Sequence, residues 1–178
     1  MGSEPAQNSL TSTEFKKLYE EHLTAVFNFC LYRVGDYALA EDITADTFKR
    51  AWRSRSRFDP DKATFTTWLF AIARNRIADR QRWQGRRSFV ALNGQHPDNA
   101  PLLEEMAARS EKTQRLNELI RGLTAEQQEL IALKFGAGLT NRAIADLVDK
   151  SETAVGSALH RALGSIRQQL SETEISDR

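Results

Sequence analysis

Apolar residues recur at steps of three and four over the first third of the chain, a spacing that predicts amphipathic helices. The first predicted helix opens at Glu14 under the cap of Thr13, because a threonine hydroxyl can accept a hydrogen bond from a free backbone amide. Gly35 ends this helix, and Asp36 can cap a second one over roughly residues 37–54. Two consecutive helices with a short break are therefore expected.

A third helix is predicted from about Thr66 to Trp83, ending near Gly85. An Asp-Pro-Asp turn at residues 59–61 separates it from the second helix. Its apolar residues share one face and are expected to pack inward: Phe65, Trp68, Leu69, Ile72, Ala73 and Ile77. Three helices of this kind predict a compact all-α unit.

The helical pattern stops for about twenty-five residues in the middle of the chain. Asn-Gly, His-Pro and Ala-Pro pairs there interrupt regular structure and predict a flexible linker. The small, polar residues at the N-terminus predict a disordered tail. The predicted organisation is a tail, a helical unit, a linker, a second helical unit and a tail, at residues 1–12, 13–87, 88–112, 113–170 and 171–178.

The second unit carries side-chain caps, each followed by a short apolar helix pattern. Thr124 and Gln127 form a capping-box pattern, and Thr140 can cap the next helix. After a tight turn at residues 149–150, Ser151 can cap the last one. Two short helices around a tight turn predict a helix-turn-helix, whose second helix would enter a major groove. An αα-hairpin without any DNA role fits the same pattern.

A strongly basic block spans residues 49–87 of a chain that is almost neutral overall. The block contains twelve lysines and arginines against three aspartates, a net charge of +9, whereas the whole chain carries +1. The rest of the chain therefore carries a net charge of −8. A localised block of this kind indicates a polyanion site more directly than the total charge does.

Six aromatic residues are interleaved with these cations: Trp52, Phe58, Phe65, Trp68, Phe70 and Trp83. Arginines can hold phosphates while aromatic faces stack on bases that have left a duplex, so the block is typical of a site for melted nucleic acid. The spacing of Phe65, Trp68 and Leu69 also suits a buried stripe, and a core role explains these three residues equally well.

The second predicted helix changes sign along its length. Its first half is acidic and its second half basic, with the residues Glu41, Asp42 and Asp46 and then Lys49, Arg50 and Arg53. This order complements the helix dipole, which is a purely structural explanation. It also fits a helix that contacts a protein at one end and nucleic acid at the other, and the sequence leaves both interpretations open.

Several classes of protein are disfavoured. The single cysteine, Cys30, excludes an internal disulfide framework and a cysteine-rich zinc site. The three histidines share no metal-ligand spacing, so neither a metal nor a cofactor is expected. No nucleophile with its base, phosphate-binding glycine loop or hydrolytic carboxylate pair is recognisable, which argues against an enzyme. No apolar run could span a bilayer and no signal segment begins the chain, so a cytoplasmic protein is expected.

The chain resembles a bacterial RNA polymerase sigma factor of the extracytoplasmic-function (ECF) group. The resemblance rests on two helical units in this order, of which the first is basic and rich in aromatic residues and the second is a helix-turn-helix. The resemblance extends from about Phe15 to Leu170. Residues 40–43, 46–48 and 51–52 are similar to the family's polymerase-binding helix. The segment from Phe65 to Arg82 lies where the family has its promoter-melting helix. The segments similar to its C-terminal DNA-binding domain are residues 123–133, 139–145 and 151–162.

The resemblance implies a dissociable subunit of RNA polymerase that melts the −10 promoter element with its first unit and reads the −35 element with its second. It implies core RNA polymerase, promoter DNA and an anti-sigma factor as partners, and no membrane insertion. The implied polymerase-binding residues are Glu41, Asp42, Asp46, Lys49 and Trp52. The residues implied for the −10 element are Arg53, Arg55, Arg57, Phe58, Thr67, Arg74, Asn75, Arg76 and Arg80. The residues implied for the −35 element are Arg142, Ser151, Thr153, Ser157, His160 and Arg161.

The helix that begins at Ser151 departs from the family pattern. Ala154, Gly156 and Ala158 stand where the family commonly has threonine, lysine and arginine, so a hydroxyl and two cations are expected to be missing from the DNA face. Each lost phosphate contact should make the salt dependence of DNA binding shallower by about one unit of slope. We therefore expect −35 readout to be weak, unusual in sequence, or helped by another factor.

Two other functions fit part of the pattern. A stand-alone helix-turn-helix regulator would bind duplex DNA without polymerase, although it would not need so many aromatic residues in the basic block. A degenerate sigma-like interaction protein would sequester a partner without initiating transcription, and the depleted helix after Ser151 favours it. Binding to core polymerase would distinguish the stand-alone regulator from a sigma factor and from a degenerate sigma-like protein. Promoter-specific transcription would then distinguish the sigma factor from the degenerate protein.

Overall fold

The computed structural model describes residues 10–87 and 118–176, and every regular element within these two ranges is helical. The prediction of an all-α chain with two helical units is therefore confirmed. The predicted linker and most of the predicted N-terminal tail lie outside the described residues.

Helix α1 spans Ser12–Val34 and begins at a capping box. The Thr11 hydroxyl accepts a hydrogen bond from the Glu14 amide, and the Glu14 carboxylate accepts one from the Thr11 amide at 2.9 Å. The prediction that Thr13 caps this helix is wrong. Thr11 is the cap, because Thr11 and not Thr13 has a glutamate three residues further on. The helix ends at Gly35 as predicted, with a left-handed φ of 67° that glycine adopts without steric cost.

Helix α2 spans Tyr37–Ser54, the predicted range. The Asp36 carboxylate caps it by accepting a hydrogen bond at 2.7 Å from the backbone amide three residues further on. A 3₁₀ turn at Arg55–Arg57 and a loop lead to helix α3, which spans Phe65–Arg87. The predicted end near Gly85 is wrong, since a glycine inside a helix costs only about 1 kcal/mol relative to alanine.

The first three helices bury their apolar faces against one another. Phe29 of α1 and Phe70 of α3 are fully buried and meet edge to face, with ring centroids 5.5 Å apart. Thr44 and Thr47, two buried threonines of α2, donate to carbonyl oxygens four residues earlier at 2.7 Å. Their hydroxyl groups are thereby satisfied inside an apolar core.

The second unit consists of short helices followed by one long helix. Residues 118–121 are helical, helix α4 spans Ala125–Ile131, and a π-helical turn follows at Ala132–Gly136. Helix α5 spans Asn141–Val148 and helix α6 spans Glu152–Ser176, so α6 continues into the segment predicted as a C-terminal tail. Helices α5 and α6 form the predicted helix-turn-helix.

The caps predicted in the second unit are all present. Thr124 and Gln127 form a complete capping box, and the Thr140 hydroxyl accepts from a backbone amide of α5 at 3.2 Å. The Ser151 hydroxyl accepts from a backbone amide in the first turn of α6 at 3.1 Å. Asp149, in the turn, has a left-handed φ of 54°, a conformation that aspartate adopts more readily than most residues.

The two units pack against each other, an arrangement that the sequence left open. The π-helical turn Ala132–Gly136 contacts α1, and α5 contacts α3. A Cβ atom on Gly136 would lie 3.1 Å from the Asn28 carbonyl oxygen and from Cδ2 of Tyr32, so the turn and α1 approach closely. The buried residues of both units consequently form one continuous cluster.

Candidate nucleic-acid interface

The residues predicted for the −10 element lie at the end of α2, in the segment that follows it and along α3, and they differ in accessibility. Four of them have exposed side chains: Arg53, Arg57, Asn75 and Arg80. Thr67 is half-buried, and its hydroxyl lies 3.0 Å from that of Thr64, which also accepts from the Thr67 amide. Arg53, Arg57 and Arg80 are therefore the most accessible cations of the predicted set.

Phe58 lies in the interior of this loop. Its side chain is 8% exposed, and its ring centroid is 5.7 Å from that of Phe65 and 5.2 Å from that of Trp68. Phe65 and Leu69 are also buried, which favours the core interpretation of both, whereas Trp68 is only partly buried. The faces of the Phe58 ring are covered, so we revise its predicted role from stacking on a base to holding the loop.

Trp52 and Arg55 form a stacked pair beside the loop. The guanidinium carbon of Arg55 lies 3.8 Å from the centre of the Trp52 ring, and Arg55 donates to the Trp52 carbonyl oxygen at 2.8 Å. The Trp52 side chain also meets Phe15 edge to face and is 37% exposed, although its helix position predicts an inward orientation. Trp52, which the resemblance implies for polymerase binding, is thus in direct contact with Arg55, which it implies for the −10 element.

A polar cavity of about 460 Å³ opens between α2 and α3, and its lining includes residues predicted for polymerase binding and residues predicted for the −10 element. Asp46 of α2 and Arg76 of α3, which both line this cavity, form an ion pair, and Arg50 lies 3.4 Å from the same aspartate. Arg50 is missing from the predicted site, although its position in the basic block, one turn before Arg53, could have identified it. The residues that line the cavity are Asp46, Arg50, Arg53, Ser54, Ile72, Asn75, Arg76 and Asp79.

Arg74 points toward the second unit. It forms an ion pair with Glu129 at 2.6 Å and donates to the Leu147 carbonyl oxygen at 2.7 Å. Only 29% of its side chain is exposed, so in this arrangement it is engaged by protein groups and does not reach DNA.

The polymerase-binding residues implied for α2 lie on an accessible surface. Glu41, Asp42 and Lys49 are exposed, and Asp46 is half-buried. Glu41 also lies at a groove of about 380 Å³ between α1 and α2, whose lining is mainly apolar. The side chains that form its walls include Tyr19, Leu23, Phe27, Tyr37 and Phe48. A protein partner could therefore meet acidic and apolar groups side by side.

The residues implied for the −35 element share the open face of the helix-turn-helix. All six have exposed side chains: Arg142, Ser151, Thr153, Ser157, His160 and Arg161. Ser151 caps α6, so its hydroxyl is engaged by the backbone amide of Ala154. The side chains of the other five residues are exposed as well.

Ala158 does not belong to this face. Its side chain is 7% exposed and packs in the core with Val155, Leu159 and Ala162. The expectation that a cation is missing from the DNA face at Ala158 is wrong, because a residue at this position faces the core. Only Ala154, which is exposed, and Gly156, which is half-buried, leave the open face short of polar groups.

An acidic residue of α4 lies close to the basic side chains of the helix-turn-helix. Glu126 forms an ion pair with Lys150, and the hydrogen bond and charge of Lys150 lower the pKa of that carboxyl group. The charge of Arg161 contributes in the same direction. Glu126 therefore offsets part of the positive charge of Lys150 and Arg161 on this side of the helix-turn-helix.

The histidines do not form a metal site within the described residues, and no group of potential ligands there could hold a metal ion. His22 instead joins two helices, with Nδ1 3.0 Å from the Leu18 carbonyl oxygen and Nε2 2.9 Å from the Thr66 hydroxyl. In the same part of the chain, no helix has the length and apolar character needed to cross a membrane.

Two family profiles match this chain. Sigma-70 region 2 matches residues 18–87, and Sigma-70, region 4 matches residues 113–166. The first match extends from Leu18, in the second turn of α1, to the end of α3, and it includes the polar cavity and the acidic surface of α2. The second covers the helix-turn-helix, including the exposed face of α6 up to residue 166.

Curated relatives carry the same pair of regions over most of this chain. The ECF RNA polymerase sigma factor BldN of Streptomyces coelicolor is 32% identical over 160 residues, which are 88% of this chain and 60% of the relative. The ECF RNA polymerase sigma factor SigL of Mycobacterium tuberculosis is 29% identical over 163 residues, 90% of this chain and 91% of the relative. The chain thus spans less than two thirds of BldN but almost all of SigL.

Solved structures have a similar fold. CnrH, in complex with the cytosolic domain of CnrY, has a TM-score of 0.66 and 24% identity, covering 91% of this chain and 90% of that one. RpoE, in complex with the anti-sigma factor NepR from Bartonella quintana, has a TM-score of 0.68 and 24% identity, covering 89% and 98%. At this identity the similarity shows the fold.

Proposed function

This chain belongs to the sigma-70 family of RNA polymerase sigma factors, within the ECF group, and from that premise we propose that it binds core RNA polymerase and directs promoter-specific initiation of transcription. The proposal is carried by one observation: regions 2 and 4 match, in order, a unit with a polar cavity and a helix-turn-helix unit. A stand-alone helix-turn-helix regulator would account for the second unit alone. Sigma factors are transcription factors rather than enzymes, and we propose no catalytic residue.

Polymerase binding is assigned to the exposed surface of α2. Glu41 and Asp42 present negative charge in the second turn of this helix, and Lys49 and Trp52 follow about two and three turns later. A partner surface with basic and apolar groups would complement it. Charge complementarity of this kind accelerates association and orients the partner more than it strengthens the final complex.

The polar cavity between α2 and α3 is the proposed site for the melted −10 element. Unstacking a base from duplex DNA costs a few kcal/mol, which a pocket can offset by stacking and by hydrogen bonds to the base edge. Asn75 offers an amide that can both donate and accept, and Arg50 and Arg53 offer charge to the adjacent phosphates. Phe58 supports this site from inside the loop.

The exposed face of α6 is the proposed reader of the −35 element. Thr153, Ser157 and His160 can contact base edges or phosphates, and Arg161 can pair with a phosphate. The absence of larger polar side chains at Ala154 and Gly156 supports the proposal that this contact is weaker than the −10 contact. Promoter choice would then depend mainly on the first unit.

An anti-sigma factor is the third proposed partner. The structures of CnrH and RpoE that resemble this chain contain the cytosolic domain of CnrY and the anti-sigma factor NepR. A protein of that class would compete with core polymerase for this chain. We further propose that the chain acts in the cytoplasm, where RNA polymerase and promoter DNA are found.

Equilibrium binding of the purified chain to core RNA polymerase tests the proposal. The parent chain is expected to form a stoichiometric complex, and Asp42→Lys is expected to weaken it at least tenfold by reversing a charge on α2. Glu20→Lys reverses the charge of another exposed acidic residue, on α1, and serves as the matched control. If the folded parent chain does not bind core polymerase, the proposed function is wrong.

A further inference from the structure

The amide side chain of Asn141 lies where the two helices of the helix-turn-helix meet. Asn141 is the first residue of α5 and follows the Thr140 cap directly. Its Nδ2 atom would be 3.6 Å from a Cβ atom placed on Gly156, in the middle of the exposed part of α6. Asn141 is half-buried, and it is missing from the set of residues predicted for the −35 element.

Gly156 lies on the face of α6 that we assign to the −35 element. Residues three and four positions apart are neighbours on a helix surface, so Thr153 and His160 flank Gly156. Both of these side chains are exposed. The amide of Asn141 therefore borders the proposed DNA face at a point where α6 itself offers no polar side chain.

The Oδ1 atom of Asn141 is buried, and no group in the described part of the chain donates a hydrogen bond to it. An unpaired acceptor inside a protein is costly, so packing alone does not explain an asparagine here. A ligand that supplies a donor does explain it. Phosphate oxygens of DNA only accept hydrogen bonds, whereas the base edges in the major groove also carry amino groups that donate.

We propose that Asn141 is a further base-reading residue of the −35 site, and that it recognises an adenine through the gap at Gly156. The N6 amino group of adenine donates to Oδ1, and Nδ2 donates to adenine N7, which is the usual pairing of asparagine in a major groove. The χ2 torsion of asparagine is broad, so the amide can turn both atoms toward the groove. The inference rests on the proposed function, because it concerns the −35 contact of α6.

The glycine at position 156 is part of this geometry. A Cβ atom 3.6 Å from Nδ2 makes an ordinary van der Waals contact, but a longer side chain would compete with a base for the space beside the amide. The departure from the family pattern at Gly156 therefore removes one polar group from α6 and gives DNA access to another on α5.

Selection from a pool of duplexes with randomised base pairs measures this preference without knowledge of the promoter. The full-length chain is used, and the bound duplexes are sequenced. The parent chain is expected to enrich adenine at one position, and Asn141→Ala should lower this preference about tenfold, a typical contribution of a bidentate pair. Gln168→Ala, which removes an exposed amide from the far end of α6, should leave the preference unchanged.

Asn141→Asp tests the chemistry of the pairing. Aspartate keeps the acceptor oxygens and loses the donor, so the preference at the same position should change from adenine to cytosine, whose N4 amino group donates. The added negative charge should weaken binding to all duplexes. The sequences of the bound duplexes separate this uniform loss from the change in preference.

Gly156→Leu tests the gap while Asn141 stays in place. The longer side chain should lower the adenine preference as much as Asn141→Ala does, and the double variant should lose no more than either single variant. Gly164→Leu is the matched control on the same helix, because a Cβ atom there would meet no other described side chain within 4 Å. Circular dichroism verifies that each variant keeps its helix content.

Thermal unfolding separates base reading from a structural role. Asn141→Ala removes an unpaired buried acceptor, so its Tm should equal or exceed that of the parent chain. A lower Tm with an unchanged base preference would show that Asn141 serves only the fold and would overturn the inference. An equal loss of affinity for all sequences, or a parent chain without an adenine preference, would overturn it as well.

Binding to core polymerase, measured separately, distinguishes failure of this inference from failure of the proposed function. If the chain binds polymerase and Asn141→Ala keeps the parent's base preference, the inference fails and the proposed function stands. If Asn141→Ala loses the adenine preference but the parent chain does not bind polymerase, Asn141 reads DNA and the proposed function fails.

Discussion

Arg76 of α3 lies 2.5 Å from Asp46 of α2, Nε to Oδ2, and this ion pair joins the helix that we assign to polymerase to the helix that we assign to the −10 element. The Nε–H is not directed at the carboxylate, so the attraction is mainly between charges. Arg76 also pairs with Asp79 at 3.0 Å, and 24% of its side chain is exposed. These charges add an electrostatic contact to the apolar packing between the two helices.

Asp46→Asn is expected to lower the free energy of unfolding by about 0.5–1 kcal/mol, the usual range for an accessible ion pair. For a chain of this size that corresponds to a decrease in Tm of about 1–4 °C, which thermal unfolding followed by circular dichroism can measure. Asp42→Asn, on the exposed side of the same helix, should change Tm by less. Equal losses for both variants would show that the Asp46–Arg76 pair has no special role.

Phe58→Ala is expected to destabilise the first unit by about 3–5 kcal/mol, because it leaves a cavity beside Phe65 and Trp68. Phe58→Leu keeps most of the volume and should bind a melted −10 oligonucleotide about as well as the parent chain, measured by fluorescence anisotropy with core polymerase. A large loss of binding in a stably folded Phe58→Leu chain would restore the stacking role and contradict the packing role.

The buried thiol of Cys30 makes stability depend on pH in the alkaline range. Burial raises the pKa of Cys30 to about 11 from a usual value of 9.0, and the hydrogen bond with Thr44 opposes this only partly. Because the folded-state pKa is raised, this contribution to stability is fully present below pH 9 and is lost as pH rises through 11. At about 1.4 kcal/mol per pKa unit, the free energy of unfolding should fall by about 2–3 kcal/mol.

Urea unfolding of the parent chain and of Cys30→Ala at several values between pH 8 and 11 isolates this effect. Tyrosines and lysines titrate in both chains, so the difference in slope belongs to Cys30. The Cys30→Ala chain is expected to be less stable at pH 8 but to lose less stability as pH rises. Parallel curves for the two chains would rule out a buried, neutral thiol.

Ala154→Lys is expected to add a phosphate contact to the exposed face of α6. In the full-length chain, the slope of log affinity for a duplex oligonucleotide against log salt concentration should become steeper by about one unit. Ala158→Lys should instead destabilise the fold, because position 158 is buried and an unpaired charge in a core is costly. Similar gains in DNA affinity for both variants would contradict the assignment of Ala158 to the core.

The helix boundaries that depend on nearby residues were predictable from the sequence. A cap is recognised from side chains within three positions of one another, and the caps predicted at Asp36, Thr124, Thr140 and Ser151 are all present. The wrong prediction at Thr13 has the same basis, because Thr11 offers the better local pattern with Glu14. The burial of Ala158 was also readable, since it shares the three- and four-residue spacing of Val155, Leu159 and Ala162.

The packing of the two units was not predictable in this way. Arg74 and Glu129 are 55 residues apart, and each belongs to an ordinary amphipathic helix with other charged residues nearby. Nothing local distinguishes an arginine that will hold DNA from one that will hold another unit of the same chain. The burial of Phe58 was hidden for a similar reason, because it depends on how a loop folds over Phe65 and Trp68.

Transcription by core RNA polymerase supplemented with the purified chain, scored over a genomic promoter library, tests the central claim most directly. We expect initiation from a defined set of sites, whose aligned upstream sequences share a −10 element and a weaker −35 element. Polymerase alone should not start at these sites. If the folded chain binds core polymerase and no specific start sites appear, the proposed role in promoter-specific initiation is contradicted.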